Sequence, residues 1–258
     1  MIIKIVCLSL LCIILLSLGA SLAQTMYQRE LRPQEGWWSA RRDSAGLAPQ
    51  QNARLAIVQV YAAPTWGWKG VVAVHPWIIY KRAGETEYNR YEVISWGGGE
   101  KVRRNSNPPD GYWFGAKPRL LVEHRGAEAE AMIPQIVAAI ASYPWPDTYH
   151  AWPGPNSNTF LAHIGREVPA LKLDMPANAV GKDFRSLLNP IGLPPSGRGL
   201  QVSVLGIAGV TLGAEEGFEL NLLGLNVGLD FTPLRIRLPF IGGLGHDNLS
   251  NNAAEHSR

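Results

Sequence analysis

The order of apolar and polar positions divides the chain into five stretches. Residues 5–23, IVCLSLLCIILLSLGASLA, are apolar and uncharged and follow a single Lys4. Residues 24–50 show no period and are rich in Gly, Pro, Ser and mixed charge, which reads as a tether. From Leu55 the runs become short and apolar. LAIVQVYAA (55–63), GVVAVHPWIIYK (70–81) and YNRYEVISW (88–96) each read as a strand rich in β-branched and aromatic residues. The RAGETE between the last two predicts an antiparallel hairpin. GGGEKVRRNSNPPDG (97–111) reads as a loop.

Helical spacing then takes over. In AEAEAMIPQIVAAIASY the apolar residues Met132, Ile133, Ile136, Val137 and Ile140 share one face, with Pro134 placed to start or kink the helix. TYHAW (148–152) is a short strand candidate. SNTFLAHIGREV (157–168) reads as a second helix, with Asn156 or Ser157 as its cap and Pro169 near its end. From Gly197 the rhythm returns to period two. GLQVSVLGIAGVTLG and GFELNLLGLNVGLDF alternate between Gly-punctuated apolar positions, LRIRLP follows, and together they predict a β meander. GGLGHDNLSNNAAEHSR closes the chain as a tail.

The first stretch bears on location. A basic start, an apolar run and the small-residue exit Ser21-Leu22-Ala23 fit a leader cleaved before Gln24. The same run is nearly long enough to span a bilayer and remain as an anchor. Either way residues 24–258 cross a membrane. The expected location is periplasmic, or inner-membrane anchored and facing the periplasm. Residues 5–23 provide the membrane association if the leader stays.

Composition narrows the chemistry. Of 258 residues 46% are hydrophobic and 17% are charged, so a buried core is expected. The net charge of +3 comes from scattered basic residues, which excludes the dense stripe of a nucleic-acid binder. Both cysteines, Cys7 and Cys12, lie in the leader. The exported part therefore has no disulfide, thiolate nucleophile or Cys-ligated metal. GxSxG, Ser-x-x-Lys, HExxH and GK[ST] patterns are missing, and His124, His150 and His163 stand alone. No metal and no cofactor is expected. Nine tryptophans read as an aromatic core or as an aromatic-lined groove for sugar or peptide.

Two residues stand out as candidate chemistry. His75 lies mid-strand among apolar residues, where a core histidine is the ordinary role. Ser157 sits at a helix start, where a cap is the ordinary role. GPNSNTFLAHIGREVP resembles the nucleophile motif of circularly permuted papain-like proteins, roughly Asn-Cys-Asn-x-Phe followed by a helix. VAVHPWIIYKRAGETEYNRYEV is similar to their upstream His strand and its hairpin partner. The resemblance covers about residues 55–170. It implies an α+β fold with an antiparallel sheet packed on helices, Ser157 in the nucleophile position, and His75 as base with Glu92 or Tyr91 as its orienter. Asn156, Asn158, Trp152 and Trp77 would then line a binding cleft. The chain departs from that motif in carrying Ser for Cys. A hydroxyl stays protonated where a thiol would ionise, so it needs a general base during attack. On VQVYAA, WPGPNSNTF and GKDF the whole chain resembles an uncharacterised proteobacterial domain-of-unknown-function family, number 3750.

The expected organisation is a leader or anchor at 1–23, a linker at 24–50, a papain-like α+β core at 51–192, a β-rich extension at 193–245 and a disordered tail at 246–258. Two function classes follow. One is a degenerate cleft that binds a cell-wall peptide, glycan or lipid ligand in the envelope. The other is a serine-dependent amidase or acyl hydrolase.

Overall fold

In the computed structural model, residues 2–30, 36–49 and 54–245 are described. The tail 246–258 expected to be disordered lies outside them. The long apolar stretch forms one helix, α1 (Ile2–Glu30). Within it, Leu8–Tyr27 is long and apolar enough to cross a membrane, with mean hydropathy 1.9.

The first sheet contains β1 (Ile57–Pro64), β2 (Val74–Lys81), β3 (Asn89–Val93), β4 (Val102–Arg104) and β5 (Arg119–Arg125). All neighbours are antiparallel, in the order β4-β3-β2-β1-β5. The expected hairpin is β2–β3. The stretch 97–111, expected as loop, contains β4. TYHAW forms no strand. The leading GVVA of the second run is spent on a 3-10 turn, Gly67–Val71, and its approach to β2.

Alternation along β1 and β2 sends side chains to two faces. Val58, Val60 and Ala62 pair with Tyr80, Ile78 and Pro76. This face is covered by α2 (Gly126–Ala141) and α3 (Ser157–Glu167), which add Met132, Ile133, Ile136, Phe160, Leu161 and Ile164 to the core. Pro134 neither starts nor ends α2, which runs on through it. Tyr61, Ala63, Trp77 and Ile79 fill the opposite face. That face is covered by residues 36–49 and by the Trp113–Phe114 segment. Trp37 stacks on Phe114 at 4.1 Å, Ala40 is buried, and Ser44 bridges to Gly111. The stretch 36–49, expected as part of a tether, is thus a packed layer.

The second sheet is a meander of β6 (Ile191–Gly192), β7 (Gly199–Val204), β8 (Ala208–Gly213), β9 (Gly217–Leu222), β10 (Leu225–Phe231), β11 (Leu234–Leu238) and β12 (Gly242–Gly245). Its polarity is reversed from the usual. Gln201, Ser203, Thr211, Glu219, Asn221 and Arg237 point inward and are buried. Leu200, Val210, Leu212, Phe218, Phe231 and Ile236 point outward and are exposed.

The inward groups close on the segment after α3. Lys182 is fully buried between Glu219 and Asp183. Arg237 pairs with Asp230 and Asp174, and it donates to the Met175 carbonyl at 3.0 Å. Arg166 of α3 donates to the Lys182 carbonyl and to Gln201 Oε1, at 2.9 and 3.0 Å. Removing one member of such a buried network leaves an uncompensated charge. Lys182→Met leaves Asp183 without a cation and Glu219 with Arg237 alone at 3.4 Å, so urea unfolding of the detergent-solubilised full chain is expected to lose about 3–5 kcal/mol. A loss below about 1 kcal/mol would show that the network does not hold the sheet.

Candidate functional site

The cap of α3 is Asn156. Its Oδ1 accepts from the backbone N–H groups of Asn158 and Thr159 at 2.9 and 3.2 Å, and Thr159 Oγ1 accepts from Asn156 N at 3.1 Å. This reciprocal pairing satisfies orphan donors of the first turn. Asn156 Nδ2 donates to the carbonyls of Ala151 and Val180. A side chain at Gly181 would collide with it, since a Cβ there would lie 2.3 Å from Nδ2 and φ is +97°. Asn158 Nδ2 ties the helix to β2 through the Val74 carbonyl at 3.1 Å, and to the Val180 carbonyl at 2.9 Å. The two asparagines flanking Ser157 therefore do structural tasks. Ser157 itself is the first helical residue and is buried, with Tyr149 nearby.

His75 belongs to a different place. It pairs with Ala63 across β1–β2 and projects to the Trp77 face, whereas α3 packs on the Ile78 face. The β2 side chains on the helix side near that end are Val74 and Pro76, neither of which can take a proton. The expected Ser157–His75 dyad is not assembled, because the sheet lies between the two side chains. Of the two candidate orienters, Glu92 meets His75: Oε2 lies 2.9 Å from Nε2. Tyr91 points to the helix side and stacks on Tyr80 with ring centroids 6.1 Å apart.

The His75 cluster is locked on every side. Arg90 donates to both oxygens of Glu92 at 3.1 and 2.9 Å, and Asn107 adds a bond of 2.8 Å. The Arg90 guanidinium lies 4.1 Å from the Trp77 ring centroid. The His75 ring stacks on Trp113 at 3.7 Å and 9°. Burial pushes His75 below its ordinary value more than Glu92 raises it, so the ring is neutral. Burial alone would raise Glu92, but Arg90 and the His75 hydrogen bond overcome it and hold the carboxyl at about 2.

The other expected binding residues divide. Trp77 is fully buried and donates to the Pro109 carbonyl, so it offers a ligand no surface. Trp152 is half exposed and donates to the Leu223 carbonyl at 2.9 Å, joining the α3 approach to the β9–β10 turn. Among the described residues, no group of three or more His, Cys, Asp or Glu is placed to hold a metal.

A cleft of about 590 Å³ is lined in part by Trp113, the residue on which His75 stacks. Trp66, Trp113 and Phe114 form its aromatic wall, and Ser21, Gln24 and Thr25 of α1 close one side. Thr65 Oγ1 and Asn178 Oδ1 are buried there without a hydrogen-bond partner. Lys117 and Arg119 contribute positive charge, and none of the described lining residues is acidic. Only the tryptophan count pointed here. The polar members come from α1, the start of β5 and separate loops, and carry no local pattern.

No curated protein and no solved structure matches the chain. One family does match, over residues 55–184, from just ahead of β1 to just beyond Asp183. That span contains the five-stranded sheet, α2, α3 and its Asn156 cap, and it stops before the meander. The chain belongs to this family, described as a protein of unknown function (DUF3750).

Proposed function

We propose that the protein is a non-catalytic binding protein of the cell envelope, anchored by α1 with its folded part on the periplasmic side, and that its cleft takes an amphiphilic lipid with an anionic head. The carrying observation is the composition of the cleft wall. Aromatic rings suit an acyl chain, while two unpartnered polar atoms and two cationic side chains suit a charged head. With α1 as the anchor, the cleft wall formed by Ser21, Gln24 and Thr25 lies beside the membrane. In this reading the chain keeps the layout of a permuted papain-like core and has given up its chemistry. His75 and Glu92 serve as a rigid backing for Trp113, which faces the ligand.

Binding is read from tryptophan fluorescence of the full-length protein, titrated with a brominated-chain lysophosphatidylglycerol in mild detergent. Quenching is expected to saturate. Trp113→Ala should weaken binding at least tenfold and Lys117→Glu several-fold, with Ser157→Ala unchanged. Wild-type affinity in both Trp113→Ala and Lys117→Glu would sink the proposal. So would fluorophosphonate labelling of Ser157 that disappears in His75→Ala, since that would restore the hydrolase.

The buried cluster also sets an acid limit. His75 is held neutral in the fold, so its contribution is present above its ordinary value of 6.5 and is lost as pH falls below it. Glu92 contributes above its ordinary 4.5 and loses this as pH falls toward about 2. Tm should therefore decline from pH 6.5 to 5. His75→Phe, which keeps the ring contact with Trp113, should flatten that decline. Equal slopes for variant and wild type would place the acid sensitivity elsewhere.

A further inference from the structure

Among the described residues, none covers the outward face of the meander. Seven strands at the usual spacing make it about 29 Å across. The outward positions of β7 to β11 are all aliphatic or Phe, with no hydrogen-bonding side chain among them. Val202, Val210, Leu212, Phe218, Leu229 and Ile236 are each more than a third exposed. Soluble proteins rarely leave contiguous apolar patches above a few hundred Å² open to water.

The chemistry of the face separates the candidate occupants. Protein interfaces form about one hydrogen bond per 100–200 Å² and concentrate their energy in Trp, Tyr and Arg, with Leu and Val under-represented. A face without donors or acceptors lacks those means of recognition and suits hydrocarbon. Polar-in and apolar-out is also the order of bilayer-facing strands. β7 to β12 have only four to seven residues, below the 9–11 needed to span. Such a sheet can rest in a bilayer surface without crossing.

The depth follows from α1. Its C-terminal half packs on the 67–71 turn and on β11. Ser21 Oγ donates to the Val71 carbonyl at 2.5 Å. Ser21 lies six residues inside the end of the apolar segment at Tyr27, which at the helical rise is about 9 Å. Interfacial elements bury their apolar side about 5–10 Å into the headgroup and acyl boundary. The same turn carries Trp68, 71% exposed, followed by Lys69, a pairing suited to a membrane–water boundary. Gln24 and Thr25 also share the cleft with Phe240 and Ile241, at the β11–β12 turn.

From these observations we propose that the outward face of the C-terminal sheet is seated in the lipid bilayer surface, beside the point where α1 leaves it. The face is thereby covered by acyl chains, and the sheet holds the cleft mouth against the lipid. The inference rests on α1 being retained and is independent of what the cleft binds.

The test uses the full-length chain in phosphatidylethanolamine–phosphatidylglycerol vesicles, with Cys7 and Cys12 replaced by Ser and a single NBD label at Leu212→Cys or Phe231→Cys. A control label sits at Gln135→Cys on α2. At 212 and 231 blue-shifted emission is expected, with several-fold quenching by 5-doxyl lipid and little by iodide; the α2 label should show the reverse. A Val202→Asp, Leu229→Asp pair should return the Leu212→Cys label to iodide while leaving Tm close to its starting value, since neither side chain is in the core. Labels open to iodide would overturn the proposal. So would labels shielded from both quenchers with cross-linked dimers, which would assign the face to a second copy. A mature N-terminus at Gln24, read by mass spectrometry, would remove the anchor and overturn it as well. The label outcomes leave the lysophospholipid titration untouched, whereas cleavage at Gln24 would also remove Ser21 from the cleft wall.

Discussion

Asp183 is a single carboxylate on which two halves of the molecule close. Lys182 and Gln201 donate to Oδ1 at 3.2 and 2.7 Å, while Asn221 and Asn226 donate to Oδ2 at 3.0 and 2.9 Å. Its backbone carbonyl accepts Ser203 Oγ at 2.6 Å. Burial works against its charge, and Lys182 with the two asparagines outweighs that, so its pKa stays below the ordinary value. A buried charge is costly unless fully paired. Here the pairing comes from β7, β9 and β10 at once. The family-matched region ends one residue after this group. The meander is attached to that region by hydrogen bonds and ion pairs, and it has no apolar side left to attach with.

That choice leaves the apolar residues of β7 to β11 facing away from the protein. It also explains why the two ends of the molecule differ in kind. The five-stranded sheet buries aliphatic residues against α2 and α3 and aromatic ones against residues 36–49, the ordinary three-layer solution. The meander inverts this. Cleft, apolar helix and apolar face meet where β11 approaches α1. On the proposed seating, membrane attachment is spread over a helix, an exposed tryptophan turn and a sheet, and the cleft is lined by the first two.

Much of the fold was legible in local pattern. The β1 and β2 runs, the β2–β3 hairpin, α2 and α3 follow from period and punctuation. β5, RLLVEHR, was not read, because it has only one fully apolar triplet and charges at both ends. The tether reading of residues 36–49 failed because Trp37 stacks on Phe114, 77 residues further along the chain, and Ala40 joins the same cluster, which no local period records. Alternation in the meander announced strands but not which side is inside, since period two is the same either way up. The candidate site depended on a parity of one. Had the ring of residue 75 stood at 74 or 76, it would have faced α3. Motif resemblance located both His75 and Ser157 without fixing which side of β2 the imidazole leaves.

The reversed meander has a consequence for strand alignment. A slip of one residue exchanges the faces of a strand. In a sheet packed by aliphatic groups alone, one apolar side chain substitutes for another and a slip by two costs only packing. Here Gln201, Asn221 and Asn226 must each reach Asp183, Lys182 must reach Glu219, and Arg237 must reach Asp230. Slips of one or two both break these bonds. The inner residues therefore act as a key that admits one alignment, while the outer residues are relieved of that duty. Leu, Val, Ile and Phe can interchange along the outer side without moving a strand, so sequence drift is cheap on one side of the ribbon and nearly forbidden on the other.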